Sequence, residues 1–365
     1  MRRFVLFFSI AFSLGFVSAQ ESSDALVEKG RNALSKGLFD RAEQYFRQAF
    51  PDDTAAALPL GELLVRRELY GEASEVLTYC HSAECYTLRA QALASMENWD
   101  SAAAAASTAI ELGATGSPMA TMALCESAAG HHTNAHTWAK KAVDAAPNDA
   151  RCWTVMGCVA FAKGSDAEAL RHFRKALQLD SNSVDACYNL GTMYTLRGNL
   201  DNASLTLRNG LRRHPKSIRL YQALGRVYRL RSDPQRATQC YEAILAIDSV
   251  NLKAWLSLGE ICRERGEYER AQSYYQKCIR IDARYTPAHK ALGLNYTQWG
   301  DYTKAIRAYQ KAVQVDDRDA DTYLLIAQLY GKQGNSQREQ NAYKKAAKLG
   351  CRPAQQWLIG RGLSW

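Results

Sequence analysis

Hydrophobic and small residues recur along the second half of the chain with a period of 34 residues. One residue opens each unit, and the successive openers are Trp153, Cys187, Tyr221, Trp255, His289 and Tyr323. Within a unit, apolar residues follow at steps of three and four, which places one apolar stripe on each of two short helices. Each unit is therefore predicted to be a helical hairpin, and the fold class to be all-α.

Turn residues recur with the same period between the two helices of a unit. A glycine stands there in five units, at Gly164, Gly198, Gly266, Gly300 and Gly334. Glycine suits the left-handed residue that ends a helix, and the polar residue that follows it, such as Asn199 or Asp301, suits the cap of the next helix. Where the glycine is missing, Ser232-Asp233-Pro234 is predicted to make the turn.

The repeated residues resemble the signature of the tetratricopeptide repeat (TPR) family, which has a leucine-glycine pair, an alanine and an aromatic residue at fixed places in a 34-residue unit. One unit carries them as Leu258-Gly259, Ala271 and Tyr275. Weaker units of the same type precede residue 150. The resemblance implies a right-handed α-solenoid of about ten TPR hairpins.

Four segments follow from this pattern. Residues 20–149 are predicted to hold degenerate repeats, and residues 150–352 strict repeats. Residues 353–365 are predicted to form a capping helix and a tail, because the ends of a solenoid need a cover for their last apolar face. Residues 1–19 have a different character.

The first residues have the composition of a secretory signal peptide. Arg2-Arg3 precede the apolar run Phe4–Val17, and Ala19 ends a stretch of small residues. Such a segment is removed on export, and cleavage after Ala19 is expected. An uncleaved inner-membrane anchor is the alternative. The apolar run is short for a membrane span and no other run is long enough, so no transmembrane span is expected in the mature chain. A bacterial periplasm is the expected compartment, with the endoplasmic-reticulum lumen as the alternative.

All ten cysteines lie beyond the signal segment. An even count in an exported protein is compatible with a disulfide framework. Most of them, however, occupy packing positions of the repeat, as Cys187 and Cys278 do, which favours buried free thiols. Cys80 and Cys85 flank a short turn, so a local disulfide is considered there.

Basic residues occupy the positions of the strict repeats that the signature does not use. The resemblance implies that the first helix of each hairpin lines a concave face, and the basic residues there are Arg219, Arg226, Arg229, Lys253, Arg263 and Lys290. Guanidinium groups donate paired hydrogen bonds to carboxylates, so this pattern indicates a groove for an acidic peptide, a C-terminal carboxylate or a polyanion. Ordinary surface charge on a basic protein is the alternative.

The equivalent positions of the degenerate repeats are apolar, and we single out Leu88, Leu124, Val155 and Phe161. Such a face suits a hydrophobic helix or another copy of the chain. Tighter coiling that buries these residues within the solenoid is the alternative.

No catalytic, phosphate-binding or zinc-binding motif is present. His131, His132 and His136 lie together, but they are interpreted as solvated surface residues. The chain is therefore predicted to be no enzyme and to hold no cofactor or metal.

The net charge of +9 is modest for 365 residues, and no basic run indicates a nucleic-acid partner. The sequence predicts an exported scaffold or adaptor that binds protein or peptide partners, in bacterial envelope assembly. The alternative is a structural subunit, homo-oligomeric in one version, of a secretion, pilus or cell-wall machine. The partner itself is not identified.

Overall fold

The computed structural model describes residues 22–50 and 52–365, and the secondary structure of these residues is helical without a β-strand. The predicted signal segment, residues 1–19, lies outside them. The chain forms two compact units, of which the first ends at Leu179 and the second spans Asp180–Trp365. The boundary falls between two hairpins. The predicted change from degenerate to strict repeats at residue 150 concerns repeat regularity and stays a prediction.

The first unit consists of five hairpins. Its helices are α1 (Ser23–Ser35), α2 (Phe39–Ala49), α3 (Ala57–Arg66), α4 (Tyr70–Val76), α5 (Ala83–Ser95), α6 (Trp99–Glu111), α7 (Ser117–Ala128), α8 (His132–Ala145), α9 (Ala150–Ala162) and α10 (Asp166–Leu179). Each odd-numbered helix packs against the next helix, and α3, α5, α7 and α9 also contact one another in sequence. Short 3-10 helices precede α3 and follow α4.

The second unit repeats this arrangement. Its helices are α11 (Val184–Leu196), α12 (Leu200–Arg213), α13 (Ile218–Leu230), α14 (Pro234–Ile247), α15 (Leu252–Glu264), α16 (Tyr268–Ile281), α17 (Thr286–Trp299), α18 (Tyr302–Val315), α19 (Ala320–Lys332), α20 (Ser336–Lys348) and α21 (Arg352–Ile359). The described residues thus form ten hairpins and a final helix, which confirms the predicted all-α solenoid. We call the odd-numbered helices α1–α19 first helices and their even-numbered partners second helices.

The glycine of the signature sets the distance between the two helices of a hairpin. A Cβ atom added to Gly293 in α17 would lie 2.7 Å from Cδ1 of Tyr309 in α18. Tyr309 is 2% exposed, so its ring has no room to move away. The ring at position 309 occupies the space that a Cβ atom at position 293 would need. This explains why a glycine at the one position recurs with a large residue at the other.

The predicted turn chemistry is confirmed at the hairpin that lacks a glycine. Ser232 adopts the left-handed conformation, with φ of 56°, that Gly198 adopts with φ of 73° in the preceding hairpin. The side chain of Asp233 accepts a hydrogen bond from the backbone of Arg236 and caps α14. Pro234 then begins the helix, where its missing N–H needs no partner.

Two of the residues that open the repeats, Trp153 and Trp255, hold the loop before their first helix. Nε1 of Trp153 donates a hydrogen bond to the carbonyl of Pro147 at 2.7 Å, and Nε1 of Trp255 donates to the carbonyl of Ser249 at 2.9 Å. In each pair the carbonyl lies six residues before the ring. The indole therefore acts as a brace between the first helix and the loop that leads into it.

Cys187 opens its repeat without a ring, and a different residue binds the loop there. The guanidinium of Arg213, at the end of α12, donates to the carbonyl of Ser181 at 2.8 Å. The neighbouring His214 ring is hydrogen-bonded to the carbonyl of Asn182 at 2.6 Å. Ser181 also lies six residues before its opener, so Arg213 makes the contact that Trp153 and Trp255 make in their repeats.

Helix α21 covers the end of the second unit, as the sequence predicts. Leu358 is fully buried, and the ring of Trp357 stacks on Tyr343 of α20 with 3.9 Å between centroids. The guanidinium of Arg361 lies over the other face of Trp357 at 3.8 Å. These contacts close the apolar face that α20 would otherwise expose.

Candidate peptide-binding surface

The exposed side chains of first helices α11, α13, α15, α17 and α19 form the surface that the sequence analysis singles out. Helix α11 contacts α13, and α15 contacts α17. Side chains from neighbouring repeats therefore meet across this surface at separations close to the repeat length. We call it the first-helix surface of the second unit.

Arg219 at the start of α13 is paired within the protein. Its guanidinium donates to the carboxylate of Asp185 on α11, which lies 34 residues earlier. The same guanidinium lies 3.9 Å from the centroid of the Tyr188 ring. The predicted basic position is therefore occupied by a cation whose charge is already balanced.

Arg229 at the end of α13 is balanced in the same way by α15. Its two terminal nitrogens donate to Glu260 and Glu264, each at 2.6 Å. Burial alone would lower the pKa of Arg229, but the two carboxylates outweigh it and raise that pKa above its usual value. Arg229 is thus a fixed link between neighbouring repeats.

Lys290 and Arg263 also have partners on the surface. The ammonium of Lys290 lies 2.7 Å from the carboxylate of Asp319, which begins α19. Burial alone would raise the pKa of Asp319, and the hydrogen bonds from Lys290 and Thr322 lower it. Arg263, whose side chain is 14% exposed, donates to the amide oxygen of Gln298 at 2.8 Å.

Arg226 and Lys253 differ from these four residues. Both are exposed, and neither has a hydrogen-bond or ion-pair partner among the residues that the structure describes. They lie on the neighbouring first helices α13 and α15. Of the six predicted basic positions, these two keep a positive charge that is available to a ligand.

An open pocket of about 370 Å³ lies on the same surface, between α15, α17 and α19. Its walls are mainly apolar and consist of Leu256, Pro287, Ala291, Leu294 and Leu325, with the Tyr309 ring from α18. Three charged residues border it, Glu260, Arg263 and Lys290. The pocket therefore combines an apolar interior with a border of charges that are already paired.

The apolar pocket residues are absent from the sequence prediction, which took only the basic residues of these helices. A signal for them exists in the sequence. Leu256 and Leu324 flank Lys290 at the same repeat position, 34 residues before and after it. Two of the three residues at that repeat position are leucines, so the position as a whole indicates an apolar site, although the charge of Lys290 alone does not.

The predicted apolar face of the first unit is in part buried. Val155 is 3% exposed and belongs to a core cluster that also contains Ala120 and Cys152. Leu124 packs against this cluster. Leu88 and Phe161 are half-buried.

Cys80 and Cys85 are joined by a disulfide immediately before and within the first turn of α5. The other eight cysteines in the described residues are free, and seven of them are buried. Burial raises the pKa of the Cys240 thiol to about 12 and that of the Cys278 thiol to about 11. These thiols are weakly ionised at neutral pH and therefore poor nucleophiles.

The histidines and acidic residues form no metal centre in the part of the chain that the structure describes. The His131 ring pairs with Glu126 at 2.9 Å at the exposed turn before α8. Asp319 caps α19 by accepting a hydrogen bond from the backbone of Thr322 at 3.0 Å.

Across residues 22–50 and 52–365, the structure contains no helix with the length and apolar character that a membrane crossing requires.

Comparison with known families gives two matches, both to helical repeats of this type. Residues 231–349 match the family model described as the cilia and flagella-associated protein 70 middle TPR-like domain, and residues 160–227 match a tetratricopeptide repeat model. The matches support a TPR-family protein. They cover most of the second unit and, in the first unit, α10 with the end of α9, where the 34-residue period is strict.

Solved structures of TPR type share the fold. The human IFIT1 dimer with PPP-AAAA is 16% identical and has a TM-score of 0.55, with 90% of each chain covered. Yeast Tom70 is 14% identical with a TM-score of 0.52, over 92% of this chain and 93% of Tom70. MamA is 25% identical with a TM-score of 0.41, over 47% of this chain and 94% of MamA. No curated protein sequence matches significantly. At these identities the likeness concerns the helical-repeat fold alone.

Proposed function

We propose that the protein is a non-enzymatic scaffold, exported from the cytoplasm, that binds a protein or peptide partner on the first-helix surface of its second unit. One observation supports this most strongly: the unpaired cations Arg226 and Lys253 lie on the same surface as an open apolar pocket. A stack of preformed hairpins offers such a surface at little ordering cost. The process we propose for it is bacterial envelope assembly.

Two features of the cysteines support the exported compartment. The disulfide between Cys80 and Cys85 suits an oxidising environment. The remaining thiols are mostly buried, and burial raises the pKa of Cys125 to about 11 and that of Cys152 to about 12. Thiols of this kind resist the oxidation that such an environment promotes. Together with Arg2-Arg3 and the apolar run that follows, this favours the periplasm.

Site-specific photo-crosslinking in the producing cell tests the binding surface. A photoreactive amino acid is placed at Leu294, which lines the pocket, and in a second protein at Lys311, an exposed position of second helix α18. We expect a discrete crosslinked product from position 294 and none from position 311. The product should weaken when Arg226 and Lys253 are both replaced by glutamate, because an acidic partner would then meet like charges.

The outcome also separates the proposed adaptor from the structural-subunit alternative. A crosslinked product that contains only this chain would favour a homo-oligomeric subunit, whereas a second polypeptide favours the adaptor. Two results would refute the proposed surface. One is equal crosslinking from both positions, and the other is a yield of crosslinked product that does not fall when Arg226 and Lys253 are both replaced by glutamate.

A further inference from the structure

We infer that the pocket between α15, α17 and α19 is an anchor site for one bulky apolar side chain of the partner, and that the partner carries acidic residues on one side of that anchor. This inference deepens the proposed function and rests on it. It specifies what kind of segment binds and that its acidic residues lie on one side of the anchor only.

The pocket selects an uncharged side chain because its border offers no free charge. Glu260 is held by Arg229 at 2.6 Å, and Lys290 is held by Asp319 at 2.7 Å. Arg263 donates to Gln298 and is largely buried. A charged ligand group would have to break one of these pairs, and breaking a partly buried pair leaves one charge uncompensated.

The interior of the pocket favours a large apolar group. Leu256, Ala291 and Leu294 come from neighbouring first helices and face the same space of about 370 Å³. Leu294 is 38% exposed, so apolar surface remains in contact with water when the pocket is empty. Covering it with an aromatic or branched side chain removes that contact, which is the main source of binding free energy at an anchor site.

The charges beside the pocket give the bound segment a polarity. Lys253 lies three residues before Leu256 on α15, so the two residues lie about one helical turn apart on the same face of the helix. Arg226 extends the positive charge to α13. On the opposite side, α19 carries the exposed Asp321 at the repeat position of Lys253. Carboxylates of the partner are therefore attracted towards α13 and α15 and repelled from α19.

The occupant is thus an acidic segment with a single apolar anchor and an uncharged or basic flank beyond it. A segment with acidic residues on both sides would place one set against Asp321. A purely apolar segment would leave Arg226 and Lys253 without a counter-charge. Such a segment would lack the electrostatic attraction, but the loss of binding free energy would be small because both cations are exposed. The surface therefore favours segments that combine an apolar anchor with acidic residues on one side over segments that lack either feature.

Fluorescence anisotropy with defined peptides tests this inference on the purified protein. One labelled peptide has an acidic run before a phenylalanine and serines after it, and a second has the reverse order. One of the two orders should bind at least about tenfold more tightly than the other. Replacing the phenylalanine of that peptide by alanine should weaken binding about tenfold or more, since the anchor's buried area is lost.

Matched variants of the protein separate the pocket from the charges. Ala291→Trp fills the pocket and should weaken the phenylalanine peptide about tenfold while leaving the alanine peptide unchanged. Ala104→Trp, at an exposed site of α6 in the first unit, is the control for the added indole. Lys253→Glu should weaken both peptides, and Lys311→Glu on α18 is its charge control. Circular dichroism establishes that each variant is folded.

The results distinguish failure of the anchor from failure of the proposed surface. If phenylalanine and alanine peptides bind equally while Lys253→Glu abolishes both, the anchor inference is overturned and the basic surface stands. If neither order binds, both proposals are overturned. Because the alanine peptide tests the anchor on the wild-type protein, misfolding of Ala291→Trp would not remove the test.

Discussion

Pairing between neighbouring repeats decides which charged residues of the first-helix surface remain available. Arg219 and Arg229 each occupy a predicted ligand position, yet their charges are met by carboxylates from an adjacent first helix. Arg226 and Lys253 form no ion pair with any carboxylate among the residues that the structure describes. Whether a charged residue at a given repeat position can bind a ligand therefore depends on the residue about one repeat length away as well as on the residue itself.

A buried carboxylate in the first unit gives a prediction about the contribution of a single side chain to stability. Glu43 in α2 accepts hydrogen bonds from Arg47, at 2.8 Å, and from Arg67 at the end of α3. Glu43→Gln removes the charge that these two cations share, and we expect the free energy of unfolding to fall by about 1–3 kcal/mol. Urea unfolding followed by circular dichroism measures it. Glu62→Gln, at an exposed position of α3, should have no comparable effect.

The same carboxylate should make stability depend on pH. Burial alone would raise the pKa of Glu43, but the hydrogen bonds from Arg67 and Arg47 outweigh burial and lower it. A carboxylate with a depressed pKa in the folded state stabilises the fold fully above its unfolded value, about 4.3, and loses that effect as the pH falls through the folded pKa. The difference in stability between wild type and Glu43→Gln should therefore shrink below about pH 4. A difference that persists there would contradict this explanation.

At the scale of the helix and the hairpin, the sequence predicts much of what the structure shows. The period places every strict hairpin, and the turn at Ser232 follows from local chemistry because a left-handed residue and a cap are both needed there. The brace from Arg213 to Ser181 could not be predicted, since it joins residues 32 positions apart that have no common signature. The pocket was missed for a related reason: its walls come from three first helices, and its shape depends on how they pack.

Helix α21 gives a prediction about stability, and the residue next to the mutated one serves as its control. Leu358 is fully buried against the last hairpin, whereas Ile359 is 63% exposed. Leu358→Ala should lower the free energy of unfolding by about 2–5 kcal/mol, because the cavity it leaves adds to the lost burial. Ile359→Ala should change it by less than about 0.5 kcal/mol. Equal effects of the two changes in urea unfolding would mean that α21 does not cap the unit.

At the scale of the whole molecule, the fold is a series of hairpins that present a repeated surface. Successive hairpins expose the same helix positions again and again, so neighbouring repeats present different side chains on a common frame. In the second unit this frame carries the pocket and its unpaired cations, whereas the apolar positions of the first unit, such as Val155, contribute partly to the core. Equivalent positions therefore line an exposed pocket in the second unit and lie partly in the core of the first.

The cysteines give a prediction for the whole chain. The structure has one disulfide and eight free thiols among its described residues, seven of them buried. Thiol titration of the unreduced protein should find about eight reactive groups after denaturation and few before it, because burial keeps most native thiols away from reagent and un-ionised. Finding none after denaturation would mean a disulfide framework instead.

A hydrogen–deuterium exchange footprint shows whether a partner binds on the first-helix surface of the second unit. The purified protein is compared with and without a saturating acidic peptide that carries a phenylalanine anchor. We predict slower exchange confined to α13, α15 and α17 and to the start of α19, with α14, α16 and α18 unchanged. Protection of the second helices alone, or no protection at saturation, would mean that the peptide does not bind on the first-helix surface.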